Sequence, residues 1–263
     1  KAEIILNIDN DHLDYFKDLD HIITAFAKYV RLLPDDGLLV LNADDVNIRD
    51  LNIHHKNVLT YGMQNHANIV AKNIRYSNLG FPTFDVYFNN EYVDTFTLSV
   101  LGKHNIMNAL AVISMSMNYH IDRSILKKAL KEFTGVGRRF EYLGEYNGAH
   151  FFDDFAHHPT EIAAAVATAK SMAKHTVCVF QPHTFSRTKA FMVQFAECFS
   201  GVSVVYLPVF AARESPIDGV DSVALCRIAR SLGIDAYHAA DFAEAAATAT
   251  KLVTSRRDIL LLL

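Results

Sequence analysis

The sequence predicts an α/β protein in two parts, a mostly parallel sheet with an antiparallel patch followed by a doubly wound, Rossmann-like sheet. Three observations predict it. Short β-branched or Leu-rich runs alternate with helical patterns along most of the chain, as βαβ units do. Between Ala67 and Val100 the alternation stops and strand follows strand. Gly135-Val136-Gly137 then relaxes the backbone between two patterned regions, dividing the chain into segments 1–134 and 135–263.

In the first segment, Ile4–Asp9 reads as a strand, His21–Leu33 as a helix, Leu38–Asn42 as a strand, 44–52 as a short polar helix and Asn57–Tyr61 as a strand. Ile69–Ile74, Thr83–Phe88 and Tyr92–Val100 form the antiparallel patch, with Asn-Asn-Glu at 89–91 as a turn. Asn105–Tyr119 is apolar on nearly every face, which predicts burial on all sides. Asp122 is placed to cap a helix over 123–133, where Ile125, Leu126, Ala129, Leu130 and Phe133 make one stripe. The second segment reads as strand 149–153, helix 160–174, strand 176–181, helix 185–199 and strand 203–209. Helix 222–232, strand 235–238, helix 241–254 and strand 258–263 complete it.

The 263 residues suffice for two domains, and 51% hydrophobic with 21% charged residues is the balance of a soluble globular protein. No apolar run approaches the ~18–20 residues that span a bilayer, and the first residues lack a signal-peptide pattern. A net charge of −4 with scattered Lys and Arg and no Trp argues against nucleic acid or an anionic membrane as partner. Cys178, Cys198 and Cys226 are widely spaced in apolar surroundings, so buried thiols in a reducing cytoplasm are expected rather than disulfides or a zinc site.

In open α/β sheets ligands bind beyond the carboxyl ends of strands, and the polar clusters sit there. Asn7–Asp14 follows the first strand; it is either an acidic loop capping the next helix or a cation site, where Mg²⁺ takes one or two protein ligands beside phosphates. Asn105 and Asn108 share a helix face, and either cap and bond within the core or read an adenine edge. Asp153-Asp154-Phe155-Ala156-His157-His158-Pro159-Thr160-Glu161 runs from strand to helix, suiting a ribose at the carboxylate and an anion at the helix end. Gln181–Lys189 brings His183, Arg187 and Lys189 to another strand end, a setting for an anionic intermediate. Arg213 and Glu214 either pair with each other or serve a ligand. No dinucleotide fingerprint, GxxxxGK[ST] loop, HExxH or GxSxG elbow is present.

Taken in order, NIDNDHLD, GKHNIMNALA, GVGRRFE, DDFAHHPTEI and FQPHTFSRT resemble the Mur ligases, ATP-dependent enzymes of peptidoglycan synthesis, along essentially the whole chain. The last three motifs look most like the alanine-adding branch. The resemblance implies the latter part of a central ATP-binding domain over 1–134 and a C-terminal Rossmann-like domain over 135–263. It also implies an amide-bond ligase that joins L-alanine to UDP-N-acetylmuramate through an acyl phosphate, with ATP and Mg²⁺. By that resemblance His12 is a Mg²⁺ ligand, Asn105 and Asn108 contact adenine, and Arg139 and Asp154 bind the ribose. His157 and Arg187 are implied as catalytic residues facing the acyl phosphate and the amine, with His158 and Arg213 beside them at the substrate. Phe155 departs from the tyrosine frequent at its position, and Lys28 is out of register for the carbamylated lysine of some relatives.

A UDP-binding domain, phosphate loop and early Mg²⁺ glutamate precede this region in the family. The chain therefore reads as a fragment, monomeric or weakly dimeric and inactive as a ligase alone. Two alternatives remain: the sister ligase that adds a recycled tripeptide, and a non-catalytic nucleotide-binding module.

Overall fold

The computed structural model describes residues 1–12, 15–51, 53–64, 66–77, 80–146, 148–255 and 257–263; Leu13 and Asp14 of the acidic segment lie outside the described residues. The chain divides into two compact units, Lys1–Thr134 and Gly135–Leu263. Each holds a mixed, mostly parallel sheet, the architecture the sequence predicts.

In the first unit the order is β1 (Ala2–Ile5), β2 (Leu38–Asn42), β3 (Val58–Gly62), β4 (Ile69–Tyr76), β5 (Pro82–Phe88) and β6 (Glu91–Thr97). The first four strands are parallel, and β4, β5 and β6 pair antiparallel. β2 is apolar on both faces because both are covered: Leu38 and Val40 join one core cluster and Leu39 the other. The β5–β6 turn is tighter than the sequence suggests. Asn89 (φ 48°) and Asn90 (φ 70°) make a two-residue hairpin turn, and Glu91 already pairs with Phe88.

The first strand is shorter and earlier than expected. Pairing with β2 ends at Ile5, and the Leu6 carbonyl accepts instead from the Asn42 side chain at 2.9 Å. That hands Asn7–His12 to a loop.

The helices are α1 (Leu19–Val30), α2 (Val46–Arg49), α3 (Lys103–Asn118) and α4 (Arg123–Glu132). Asp18, Asp45 and Asp122 each accept backbone N–H groups at the starts of α1, α2 and α4. α3 corrects the expectation of burial on every side. His104, Asn108 and Val112 recur four residues apart and keep one stripe exposed, while Ile106, Leu110 and Ile113 are buried. α4 packs on β6 and α3 through Leu126 and Leu130, leaving Ile125 and Phe133 of the expected stripe exposed.

The second unit orders its strands β11 (Asp235–His238), β10 (Ser203–Tyr206), β9 (Thr176–Phe180), β12 (Ile259–Leu262), β8 (Ala149–Asp153) and β7 (Glu141–Tyr146). All are parallel except β7, a hairpin partner of β8 that the sequence reading missed. The helices are α5 (Pro159–Met172), α6 (Phe185–Ala190), α7 (Met192–Glu197), α8 (Ser222–Ser231) and α9 (Phe242–Leu252). The single helix expected over 185–199 breaks at Phe191 (φ −123°, ψ 21°), whose ring packs edge-on against His158 at 5.0 Å.

α9 covers Val177, Val179, Val205 and Leu260 on one face of the sheet. On the other, Phe180 and Tyr206 pack against Phe195 and Phe199. Cys178 and Cys226 are buried, Cys198 is half-buried and all three are free thiols; burial pushes Cys198 up to about 11. Among the described residues no helix is long and apolar enough to cross a membrane.

β12 lies between β8 and β9 and sets the functional edge. Its end accepts from both neighbouring loops, Asp154 N to Leu262 O at 2.9 Å and Gln181 N to Leu263 O at 3.0 Å. Leu261 in this strand is fully buried. Leu261→Ala should therefore cost about 2–5 kcal/mol in urea denaturation with unchanged slope, the range for a large-to-small core change. A loss below ~1 kcal/mol would mean β12 is not the centre of the packed sheet.

Candidate functional site

At the carboxyl edge of the second sheet the loop after β8 carries Asp154, His157 and His158, and α6 beyond the loop after β9 carries Arg187. Asp154 is buried, and its Oδ1 accepts Ala156 N–H at 2.8 Å while Oδ2 accepts Phe140 N–H at 2.9 Å. Burial pushes its carboxyl up, and the two N–H groups and Arg139 only partly offset this. The carboxylate thus holds the turn at Arg138 (φ 58°) and Phe140 (φ 48°), both in the left-handed region. Arg138 donates from Nε to Asp153 at 3.1 Å and lies 4.7 Å above the Phe155 ring. The Arg139 guanidinium is half exposed, 3.9 Å from Glu161.

His157 has its Nδ1 2.8 Å from the Phe155 carbonyl. A carbonyl only accepts, so Nδ1 carries the hydrogen and Nε2 of the neutral ring is the acceptor. Glu161 fixes the same loop by accepting from the N–H groups of His157 (3.1 Å) and His158 (3.3 Å). His158 caps the helix that follows. It is buried, its Nδ1 accepts Thr160 N–H at 3.3 Å, and with Glu161 it completes a capping box on α5.

The second loop follows β9. Thr184 (φ 66°) caps α6, which carries half-buried Arg187. The His183 ring stacks on Phe210 at 5.3 Å and stands 6.3 Å from that of His157. Burial first, then Arg187 and His157, hold His183 below the ordinary imidazole range, with Glu214 opposing them. The alternative in which Arg213 pairs with Glu214 fails. Glu214 accepts instead from Ser186 N (2.7 Å) and Ser186 Oγ (2.5 Å), and Arg213 is exposed. In the sequence His183 stands out only within its motif, and little marks Glu214 as a partner of α6. A Ser three residues beyond a strand-end His was the only signal for that contact.

The remaining residues belong to the first unit. Asn108 donates to Asn105 Oδ1 at 3.2 Å, and Asn105 donates to the Leu101 carbonyl at 2.7 Å. Gly102 (φ 92°), not Asn105, is the N-cap of α3, so the capping alternative for Asn105 does not hold. His12 (φ 55°) is exposed, 3.7 Å from the Asp11 carboxylate, and its carbonyl accepts from Tyr15 and Phe16. Among the described residues no three His, Cys, Asp or Glu side chains converge as a metal cage. One imidazole beside Asp9 and Asp11 fits the sparse protein share of a Mg²⁺ shell completed by phosphate and water.

An open, mostly parallel sheet with His157, Arg139 and Arg187 at its carboxyl edge defines a doubly wound α/β protein. Residues 1–116 match the Mur ligase middle domain and residues 138–263 the Mur ligase, glutamate ligase domain. The chain belongs to the Mur ligase family.

A UDP-N-acetylmuramate–L-alanine ligase of Clostridium beijerinckii is 45% identical over 234 residues, 88% of this chain and 51% of that protein. The enzyme of that name from Caldicellulosiruptor bescii is 40% identical over 252 residues, 94% of this chain and 55% of that protein. The crystal structure of UDP-N-acetylmuramate-alanine ligase MurC from Thermotoga maritima is similar with a TM-score of 0.75 at 27% identity, covering 99% of this chain and 55% of that one. The chain spans about half the length of the curated relatives it matches.

Asp154→Asn replaces one acceptor by a donor and leaves a buried N–H of Phe140 or Ala156 unpaired. The expected cost is about 1–3 kcal/mol by denaturant midpoint, and an unchanged midpoint would show that the carboxylate does not hold this turn.

Proposed function

We propose that the protein provides the adenine, ribose and acceptor side of a cytoplasmic ligase that joins L-alanine to UDP-N-acetylmuramate at the expense of ATP. The observation that carries this reading is the meeting of His157 and His183 beside Arg187, in a chain 40–45% identical to relatives of that name. In this reading Asn105 and Asn108 face adenine, and Arg139 with Asp154 faces the ribose. Arg213, exposed beyond β10, lies toward the substrate.

The muramate carboxylate attacks the γ-phosphorus of ATP, ADP leaves, and an acyl phosphate results. The alanine amine then attacks the acyl carbon and phosphate leaves. Negative charge grows on oxygen in both steps, and Arg187 is placed to stabilise it without reorganising. The attacking amine loses a proton, which His157 Nε2 is disposed to take because Nδ1–H is committed to the Phe155 carbonyl. Mg²⁺, held beside His12, would supply neutralisation of phosphate charge.

Phosphate release with ATP, UDP-N-acetylmuramate and L-alanine tests the reading, run on the complete gene product and on residues 1–263 alone. Alanine-dependent release by the former and none by the latter is expected. A preference for a tripeptide acceptor over alanine would replace this reading with that of the sister ligase. Arg187→Ala should lower kcat about a hundredfold or more, as loss of a preorganised cation at a developing oxyanion does. A change under about tenfold would remove Arg187 from that role.

A further inference from the structure

We propose that Glu214 is a positioning residue for the anion-facing loop: its carboxylate clamps the start of α6 and so fixes where Arg187 and His183 stand. The proposal deepens the ligase reading and rests on it only for its catalytic consequence.

The loop after β9 does not hold itself. Thr184 is β-branched and sits at φ 66°, a conformation that persists only when surroundings impose it. α6 is six residues long, too short to be stable by its own hydrogen bonds, and its side-chain cap from Thr184 Oγ1 to Arg187 N is long at 3.5 Å.

The surroundings come from the segment after β10. Thr184 N donates to Phe210 O at 2.9 Å, Phe210 N donates to Pro182 O at 2.8 Å, and the His183 ring lies on Phe210. Those contacts fix the loop up to Thr184. Glu214 fixes the first turn of α6, taking both the N–H (2.7 Å) and the hydroxyl (2.5 Å) of Ser186, the residue before Arg187. Its own place is set by a turn through Ala212 (φ 51°), with Glu214 N donating to Ala211 O at 2.8 Å.

The same carboxylate acts on His183. Arg187 and His157 face that imidazole and disfavour its charge, and Glu214 opposes them by favouring it. Ser186 holds the Glu214 carboxyl below its usual range, so it is ionised wherever His183 titrates.

Two variants separate clamp from charge. Glu214→Gln keeps one acceptor and removes the charge; Glu214→Ala removes both. In the 263-residue chain, NMR titration should find His183 deprotonating at lower pH in Glu214→Gln than in the wild type. Ser186 amide exchange should accelerate about tenfold or more in Glu214→Ala, the effect of losing a bond that protects it. In the complete gene product, Glu214→Ala should lower kcat for alanine-dependent phosphate release about tenfold or more, with KM for ATP within about twofold. Unchanged His183 titration together with unchanged Ser186 exchange would overturn the clamp. If both change as expected but no ligase activity exists in the wild type, the functional reading fails and the clamp stands. Should Glu214→Ala not fold, Ser186 amide exchange in Glu214→Gln, which leaves one acceptor for two donors, decides alone: faster exchange supports the clamp and an unchanged rate overturns it.

Discussion

Two hydrogen bonds at the end of β12 hold the candidate site together. The Leu262 carbonyl takes the N–H of Asp154 and the Leu263 carbonyl takes that of Gln181, so both loops leave the sheet from fixed points on either side of one strand. Strands lie about 4.8 Å apart, which puts the loop origins roughly 10 Å from each other. A side chain from each then spans the gap, and the His157 and His183 rings come within 6.3 Å. Had β8 and β9 been direct neighbours, the loops would crowd rather than enclose a space. The inserted strand keeps the two loops apart at this edge, beyond the carboxyl ends where doubly wound sheets bind ligands.

Around these loops the backbone is strained and acidic groups hold it. Arg138, Phe140, Thr184 and Ala212 all have positive φ without being glycine. Each such residue stays in the left-handed region because a neighbour imposes it. Glu141 takes the Arg138 N–H at 2.6 Å, Asp154 takes that of Phe140, and Glu214 takes that of Ser186 just beyond Thr184. These carboxylates are committed to the main chain. In the proposed ligase Arg139 and Arg187 present the charge to the ligand, while acidic residues set the shape in which they do so. Removing an acidic residue here therefore acts on geometry before it acts on net charge.

Much of this could be read from residue order. Leu38–Asn42 and Thr176–Phe180 were legible in the sequence because buried strands are short apolar runs between polar ends. The Asn89-Asn90 turn and the Asp122 cap were legible because Asn and Asp do there what their side chains favour. The hairpin of β7 was not, although Asn147-Gly148 precedes β8. Glu141–Tyr146 is an edge strand exposed on most of its length, so it carries no buried alternation. The break at Phe191 was hidden since the residues around it keep helical composition, while its ring packs on both His158 and Phe195. His158 and Glu214 show why the sequence leaves such roles open: a polar residue beside a site looks the same whether it meets a ligand or the backbone.

The proposed ligase requires nucleotide contacts at Asn105 and Asn108 and, separately, at the carboxyl edge of the second sheet. Titration of the isotope-labelled chain with ADP, followed by NMR, tests it most directly. Chemical-shift changes are predicted at the side-chain amides of Asn105 and Asn108 and at the backbone amides of Phe140 and Ala156, with none at His175 and Asp258 on the opposite edge of the sheet. Changes centred on His175 and Asp258, or no change at the four predicted positions with ADP in the millimolar range, would contradict it.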